Sequence, residues 1–390
     1  MTYHIIFSDE TMPKEITKSI FLAGPSPRSS DVYDWRHIAL DILNFNNFDG
    51  TVFIPIPRNK FYGAAKDEDS WTYDNQIEWE CKARDIADII VFWVARDIKN
   101  KMPGFTTNVE FGEDLHSNKI VYGRPTDADK CKYLDQRMQE IKEPIFDKLT
   151  ECIAHALDKL GNGALRTHGE VYIPLFIWNT NQFQDWYKQL KDNGNVLVKS
   201  KLNYLFKTKS NHIFAFILQL NIWVDAERRY KSNEFVFFRT DTSSVVPYYE
   251  QNNEIFIVLV KEFRSPVRNS KGLVYELPSG STFNKMTNPL ENAQKELLEE
   301  TGIFINNLER FEFISQRQVA SSTSAHHSSL YKVKLSDAEF AQVKKLTDSN
   351  AVLGLSNEGE QIYLEIVSLK NLMNYPLDYS ILGMILSSFR

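Results

Sequence analysis

Four short apolar runs alternate with helix-patterned segments in the first third of the chain, and that alternation limits the fold more than any other feature. The runs are Ser19–Ala23, Thr51–Pro55, Asp88–Val94 and Lys119–Gly123. Helices are predicted between them, over about Val32 to Leu43, Gln76 to Ala87 and Asn108 to His116. Parallel strands need a crossover, and an intervening helix supplies it, so the pattern predicts a doubly wound parallel sheet of flavodoxin or Rossmann type. Ligands of such sheets bind beyond the carboxyl ends of the strands. Polar residues gather at those ends: Gly24 and Pro25 follow the first run, and Arg96 and Asp97 follow the third. Glu110 lies where Gly104–Gly112 enters a helix. A carboxylate placed there can attack an anomeric carbon, as in retaining glycosidases. It can also do no more than complement a helix dipole.

A second constraint lies at Lys295-Glu296-Leu297-Leu298-Glu299-Glu300-Thr301-Gly302-Ile303. On a helix Glu296, Glu299 and Glu300 share one face, where they repel one another unless a cation compensates. Hard divalent ions take oxygen ligands, and Mg²⁺ works with carboxylates plus substrate phosphates. The helix has its own boundaries. Asn288 reads as N-cap, Pro289 as first helical residue and Gly302 as the terminating glycine, with Leu290, Ala293 and Leu297 as the buried stripe. An ordinary surface helix with a solvated acidic edge is the plain alternative.

The chain has 390 residues, which favours two domains. Its 43% hydrophobic and 25% charged residues are those of a globular protein, and a net charge of −6 argues against general nucleic-acid or anionic-membrane binding. The longest apolar runs, such as Ile213 to Leu220, are too short to span a bilayer. Cys81, Cys131 and Cys152 are odd in number and widely spaced, which suggests reduced thiols and a cytoplasmic location. Gly161-Asn162-Gly163 reads as a break, so domains are expected at 1–160 and 165–390. The aromatic stretch from Tyr172 to Tyr187 either packs a domain edge or stacks bases. His326 and His327 point to opposite sides of an extended chain, which favours a polar substrate loop over a shared metal.

Two resemblances build on these residues. I-F-L-A-G-P at Ile20–Pro25, Q-I-E-W-E at Gln76–Glu80, A-D-I-I-V-F-W at Ala87–Trp93 and T-T-N-V-E-F-G at Thr106–Gly112 resemble the nucleoside 2-deoxyribosyltransferase-like family, over about residues 17 to 127. Family members cleave the bond between a nucleobase and its sugar. The resemblance implies Glu110 as nucleophile, Asp88 as a second catalytic group, and Gly24, Pro25, Trp79, Glu80 and Asn108 as pocket residues, with Tyr73 and Asp74 as weaker additions. Separately, Glu296 to Ile303 resembles the Nudix box R-E-U-x-E-E-x-G-U, and Glu276-Leu277-Pro278-Ser279-Gly280 resembles the E-L-P-A-G run of its ADP-ribose pyrophosphatase branch. Lys295 replaces the box arginine and Thr287 an early glutamate.

The Nudix resemblance implies an α/β/α sandwich with a mixed sheet. Mg²⁺, or Mn²⁺ as an alternative, would be held by Glu296, Glu299, Glu300 and the Ser279 carbonyl. Arg264 and Glu276 would bind substrate, and Glu358 or Glu360 would position the attacking water. Together the resemblances imply a bifunctional enzyme that cleaves an N-glycosidic bond of a nucleoside, nucleotide or NAD and hydrolyses a nucleoside diphosphate linked to another group, such as ADP-ribose. Its partners would be a small nucleotide and further copies of itself, as a dimer or higher homo-oligomer. The rival expectation is a nucleotide sensor or defence protein that binds without turnover.

Overall fold

A computed structural model describes residues 3–28, 32–63, 72–100, 102–208, 210–281, 288–354 and 361–390. By its internal contacts the chain divides into two compact units, Met1–Val236 and Phe237–Arg390. The boundary expected near residues 161 to 164 falls inside the first unit.

The first unit opens with β1 (His4–Phe7), β2 (Glu15–Ile16) and β3 (Ser19–Ala23). Next come α1 (Trp35–Phe45), β4 (Thr51–Ile54), a one-turn α2 (Arg58–Phe61), α3 (Tyr73–Ile86) and β5 (Ile89–Trp93). They are followed by α4 (Phe105–Asp114), β6 (Ile120–Gly123), α5 (Lys132–Glu140), β7 (Ile145–Phe146) and α6 (Leu149–Leu160). Among the described residues six strands pair in the order β1-β4-β3-β5-β6-β7, each pair parallel. Alternate residues of each strand serve opposite faces. Ile20, Leu22, Val52, Val91 and Trp93 pack with α1 and α6, whereas Phe21, Ala23, Phe53, Ile90 and Phe92 pack with α3, α4 and α5. Strands buried on both faces read as unbroken apolar runs, as these do. This arrangement fits the expected doubly wound fold. Helix α4 starts at Phe105 rather than the expected Asn108, because Gly104 at φ +56° turns the chain into it.

After α6 the chain does break, at Gly161 with φ +63°. It then returns to the same body. Here β8 (Arg166–Thr167) pairs antiparallel with β2. The short α7 (Leu175–Trp178) and α8 (Asn181–Asp192) carry the aromatic stretch. Phe183 and Tyr187 are buried and stacked at 5.4 Å, with Trp178 beside them, so these rings are packing residues. The strands β9 (Val196–Lys207), β10 (Ile213–Val224) and β11 (Arg229–Arg239) form a separate sheet in the order β11-β10-β9.

The second unit holds a mixed sheet. Its strands are β12 (Thr242–Gln251), β13 (Glu254–Phe263), β14 (Leu273–Glu276), β15 (Ser279–Gly280), β16 (Phe311–Gln318), β17 (His327–Lys334) and β18 (Tyr363–Ser368). The path runs β14-β13-β12-β17-β16, with β15 on β12 and β18 on β13. The β12–β17 pair is parallel and the others are antiparallel. Helices α9 (Pro289–Thr301) and α10 (Asp337–Asp348) bury Ala293, Leu297, Phe340 and Val343 on Val245, Val258 and Val333. On the other face α11 (Tyr379–Ser387) buries Ile381 and Ile385 on Val246, Ile257 and Leu330. Helix α9 ends as its sequence predicts. The Asn288 side chain accepts from the Leu290 amide at 3.0 Å, and Gly302 stops the helix at φ +73°. Among the described residues no helix is long and apolar enough to cross a membrane.

Candidate functional site

In the first unit the topological switch point of the sheet lies where the chain leaves β3 and β5. The connections from these neighbouring strands go to opposite faces of the sheet, α1 to one and α4 to the other, which is the switch geometry that opens a ligand crevice. Gly24 is required there: it sits at φ +148°, and a Cβ would lie 2.3 Å from the Trp93 carbonyl oxygen. Pro25 packs over Gly104, where a Cβ would meet its ring at 2.6 Å. The fully buried Arg36 holds this loop, donating to the carbonyls of Leu22 and Gly24 at 2.9 and 2.8 Å. Arg96, also buried, donates to the Gly104 carbonyl and to Asn108 Oδ1 at the start of α4.

Two glutamates meet beside this crevice. Thr72 and Asn75 form a capping box that starts α3. Gln76, Glu80 and Arg84 then fall on one face at helical spacing, while Trp79, Ala83 and Ile86 bury the face against the sheet. On α4, Thr107 and Phe111 are buried and Glu110 lies next to them. The Glu80 carboxyl comes within hydrogen-bonding reach of the Glu110 carboxyl. Gln76 Nε2 donates to Glu80 at 2.6 Å and to the Pro55 carbonyl at 2.9 Å, which fixes Glu80. Burial, then the charge and hydrogen bond of Glu80, push the Glu110 carboxyl up to about 8, while Arg84 and Arg36 pull against that rise. Two like charges this close repel, which favours the protonated form of Glu110. One member can attack as carboxylate while the other gives up a proton, the division of labour that catalytic carboxylate pairs use.

Gly24, Pro25, Glu80, Asn108 and Glu110 are thus placed along two adjoining strand ends and the two helices beside them. Two other expected residues are not. Asp88 precedes β5, so the full strand lies between it and the crevice end. Its carboxylate is 2% exposed and is saturated by Arg166, the Ser19 amide and hydroxyl, and the Leu175 amide. Trp79 is 5% exposed, packs on Phe21 and Phe53, and donates its indole N–H to the Glu10 carbonyl, so it is a core residue. Tyr73 and Asp74 are exposed at the start of α3. Arg36 and Arg84 are charged neighbours of Glu110 that the sequence alone did not mark out. The single available signal for Arg84 is its i,i+4 spacing from Glu80, which normally marks a surface pair.

The second unit gathers the acidic residues of α9 near β14 and β15. Gly280 lies against the Glu296 carboxylate, so closely that a Cβ would sit 2.3 Å from it. Glu300 accepts from the Ser279 amide at 3.1 Å, and Glu299 pairs with Lys295 at 3.0 Å. Asn292, 3% exposed, donates to the Gly280 carbonyl at 3.0 Å and locks α9 to this turn. Arg264 bridges Glu276 at 2.8 Å and Glu262 at 2.9 Å. Burial opposes its charge, but Glu276, Glu262 and Glu300 outweigh that and raise its affinity for the proton. Among the described residues no three acidic, histidine or cysteine side chains are already gathered around one metal position. The donors fit a hard divalent ion in kind: they are carboxylate and backbone oxygens, and the side-chain-free face of Gly280 leaves Glu296 its place. Glu358, Glu360 and Thr287 lie outside the described residues. His326 bonds to Ser324, and His327 starts β17 with its amide on Asp241. Burial, then the charges of Arg239 and His327, push His326 down to about 4.

A family model described as nucleoside 2-deoxyribosyltransferase like matches residues 17–128. The matched segment runs from before β3 to beyond β6 and contains Gly24, Arg36, Glu80, Arg84, Arg96 and Glu110. No curated protein matches the chain.

Proposed function

We propose that the first unit cleaves an N-glycosidic bond of a nucleoside, nucleotide or NAD, and that the second hydrolyses a nucleoside diphosphate linked to another group. The observation that carries the first half is the Glu80–Glu110 carboxyl pair at the crevice, inside the segment that the family model matches. In this reading Glu110 first passes its proton to Glu80 and then attacks the anomeric carbon as carboxylate. The carbon–nitrogen bond breaks, its electron pair leaves with the base, and Glu80 donates the proton to that base. Water or an acceptor base then attacks the glycosyl–Glu110 ester, with Glu80 as general base, and restores Glu110.

The second half rests on α9 and the residues around it. Glu296, Glu299 and Glu300 would hold Mg²⁺ or Mn²⁺, with the Ser279 carbonyl as a further donor. A divalent ion there supplies charge neutralisation and a more acidic bound water. Arg264, oriented by Glu262 and Glu276, binds the diphosphate through its planar fork. A nucleotide sensor is the competing reading, and Lys295 in place of an arginine is the feature that favours it.

The test is to incubate the protein with NAD, nucleosides, nucleoside monophosphates and ADP-ribose, with and without Mg²⁺, and to separate the products. Release of nicotinamide or a free base is expected, and Glu110→Ala should abolish it while leaving ADP-ribose hydrolysis intact. No base release from any substrate would overturn the first half. Metal-independent or absent diphosphate hydrolysis would overturn the second.

A further inference from the structure

Helix α4 is held at both ends by a buried arginine, with Glu110 between the two. At the start Arg96 takes the Gly104 carbonyl and Asn108. Near the end Arg84, 7% exposed, reaches across from α3 to Asp114 at 2.6 Å and Glu113 at 2.8 Å. Those two acids follow Glu110 by one helical turn, and Arg84 follows Glu80 by one turn. The same guanidinium therefore joins the two helices one turn beyond the place where their glutamates meet. Its Nε hydrogen is buried with no hydrogen-bond partner among the described residues.

We propose that Arg84 is the positioning residue of the Glu80–Glu110 pair: it clamps α4 to α3 and fixes a positive charge beside Glu110, so that one carboxyl of the pair stays ionised. The inference rests on the reading of that pair as the reacting group. The charged groups around Glu110 are Glu80 and Arg84 from α3, Arg36 from α1, and Glu113 and Asp114 on its own helix. Arg36 is committed to the β3 loop and to Asp34. Arg84 is thus the cation that belongs to the helix pair itself. It acts on Glu110 through position and charge and needs no contact with substrate.

The experiment is carbon-13 NMR titration of glutamate side chains in the full chain, with the Glu110 signal assigned by its loss in Glu110→Gln. Arg84→Gln should raise the midpoint of that signal by about one pH unit or more. Arg84→Lys, which keeps the charge, should restore most of the wild-type midpoint. Because the single change leaves Asp114 buried without its partner, the second arm compares the double variant Arg84→Gln/Asp114→Asn with Asp114→Asn alone, and the same upward shift is expected between those two. An unmoved midpoint in whichever of these variants folds by circular dichroism overturns the proposal. If the midpoint moves but the wild type releases no base from any substrate, the catalytic reading fails and the positioning role stands. If base is released while the midpoint stays, the positioning role fails alone.

Discussion

Arg166 grips both oxygens of Asp88 at 2.7 Å, across 78 residues of chain. Both side chains are at most 1% exposed, and the amides of Ser19 and Leu175 fill the remaining lone pairs of the carboxylate. The contact joins the segment after the glycine break to the parallel sheet. It makes Asp88 a structural residue, although it sits in the matched segment only a strand's length from the crevice.

Asp88→Ala is expected to destabilise the first unit by about 3–5 kcal/mol, because it leaves the Arg166 charge buried and unpaired. Urea unfolding followed by tryptophan fluorescence measures this. A loss below about 1 kcal/mol, the scale of a surface pair, would show that the contact is not holding the fold.

The raised Glu110 carboxyl ties stability to pH. Between its ordinary value of 4.5 and about 8, the folded protein keeps a proton that the unfolded chain has released. Stability therefore falls as pH climbs through that window. Glu110→Gln should remove this slope and be the more stable protein above it. The gain is on the order of 1–2 kcal/mol, discounted from the full shift because the pair is partly exposed. Thermal melts of both proteins from acid to alkaline pH give the comparison, and parallel curves would contradict the shift.

Gly280→Ala should disturb the second site without unfolding it. Its added methyl meets the Glu296 carboxylate and not backbone, so the carboxylate has to move. Mn²⁺ affinity is expected to fall roughly tenfold or more, the usual effect of displacing a ligand from its support. Electron paramagnetic resonance of free Mn²⁺ measures it; unchanged affinity would remove Glu296 from the ligand set.

Arg264→Lys keeps the charge and loses the fork that Glu262 and Glu276 orient. For ADP-ribose, kcat/KM should fall roughly ten- to hundredfold, mostly through KM. Unaltered kinetics would place the diphosphate elsewhere.

The sequence carried the strands well, because a residue row buried on both faces must be apolar throughout, as Phe21, Leu22, Ile90 and Val91 are. It carried α9 well too, since Asn288, Pro289 and Gly302 each answer to a local backbone demand. What it hid was long-range pairing. An aspartate in front of an apolar strand looks the same whether it faces a ligand or, like Asp88, an arginine far along the chain. Arg84 was hidden for the same reason: its partners Glu113 and Asp114 lie on another helix, and within α3 it reads as a solvated charge. The return of the chain after Gly161 was equally silent, because Arg166 gives no local sign that it ends in the first body.

With α4 gripped by Arg96 at one end and Arg84 at the other, the helix has little freedom to slide along its axis or roll about it. Glu110 and Glu80 then meet at a spacing set when the chain folds and not when a ligand arrives. If the pair reacts as proposed, little reorganisation would remain for the reacting step, and binding energy from a substrate's distant parts would be free to distort the bond that breaks.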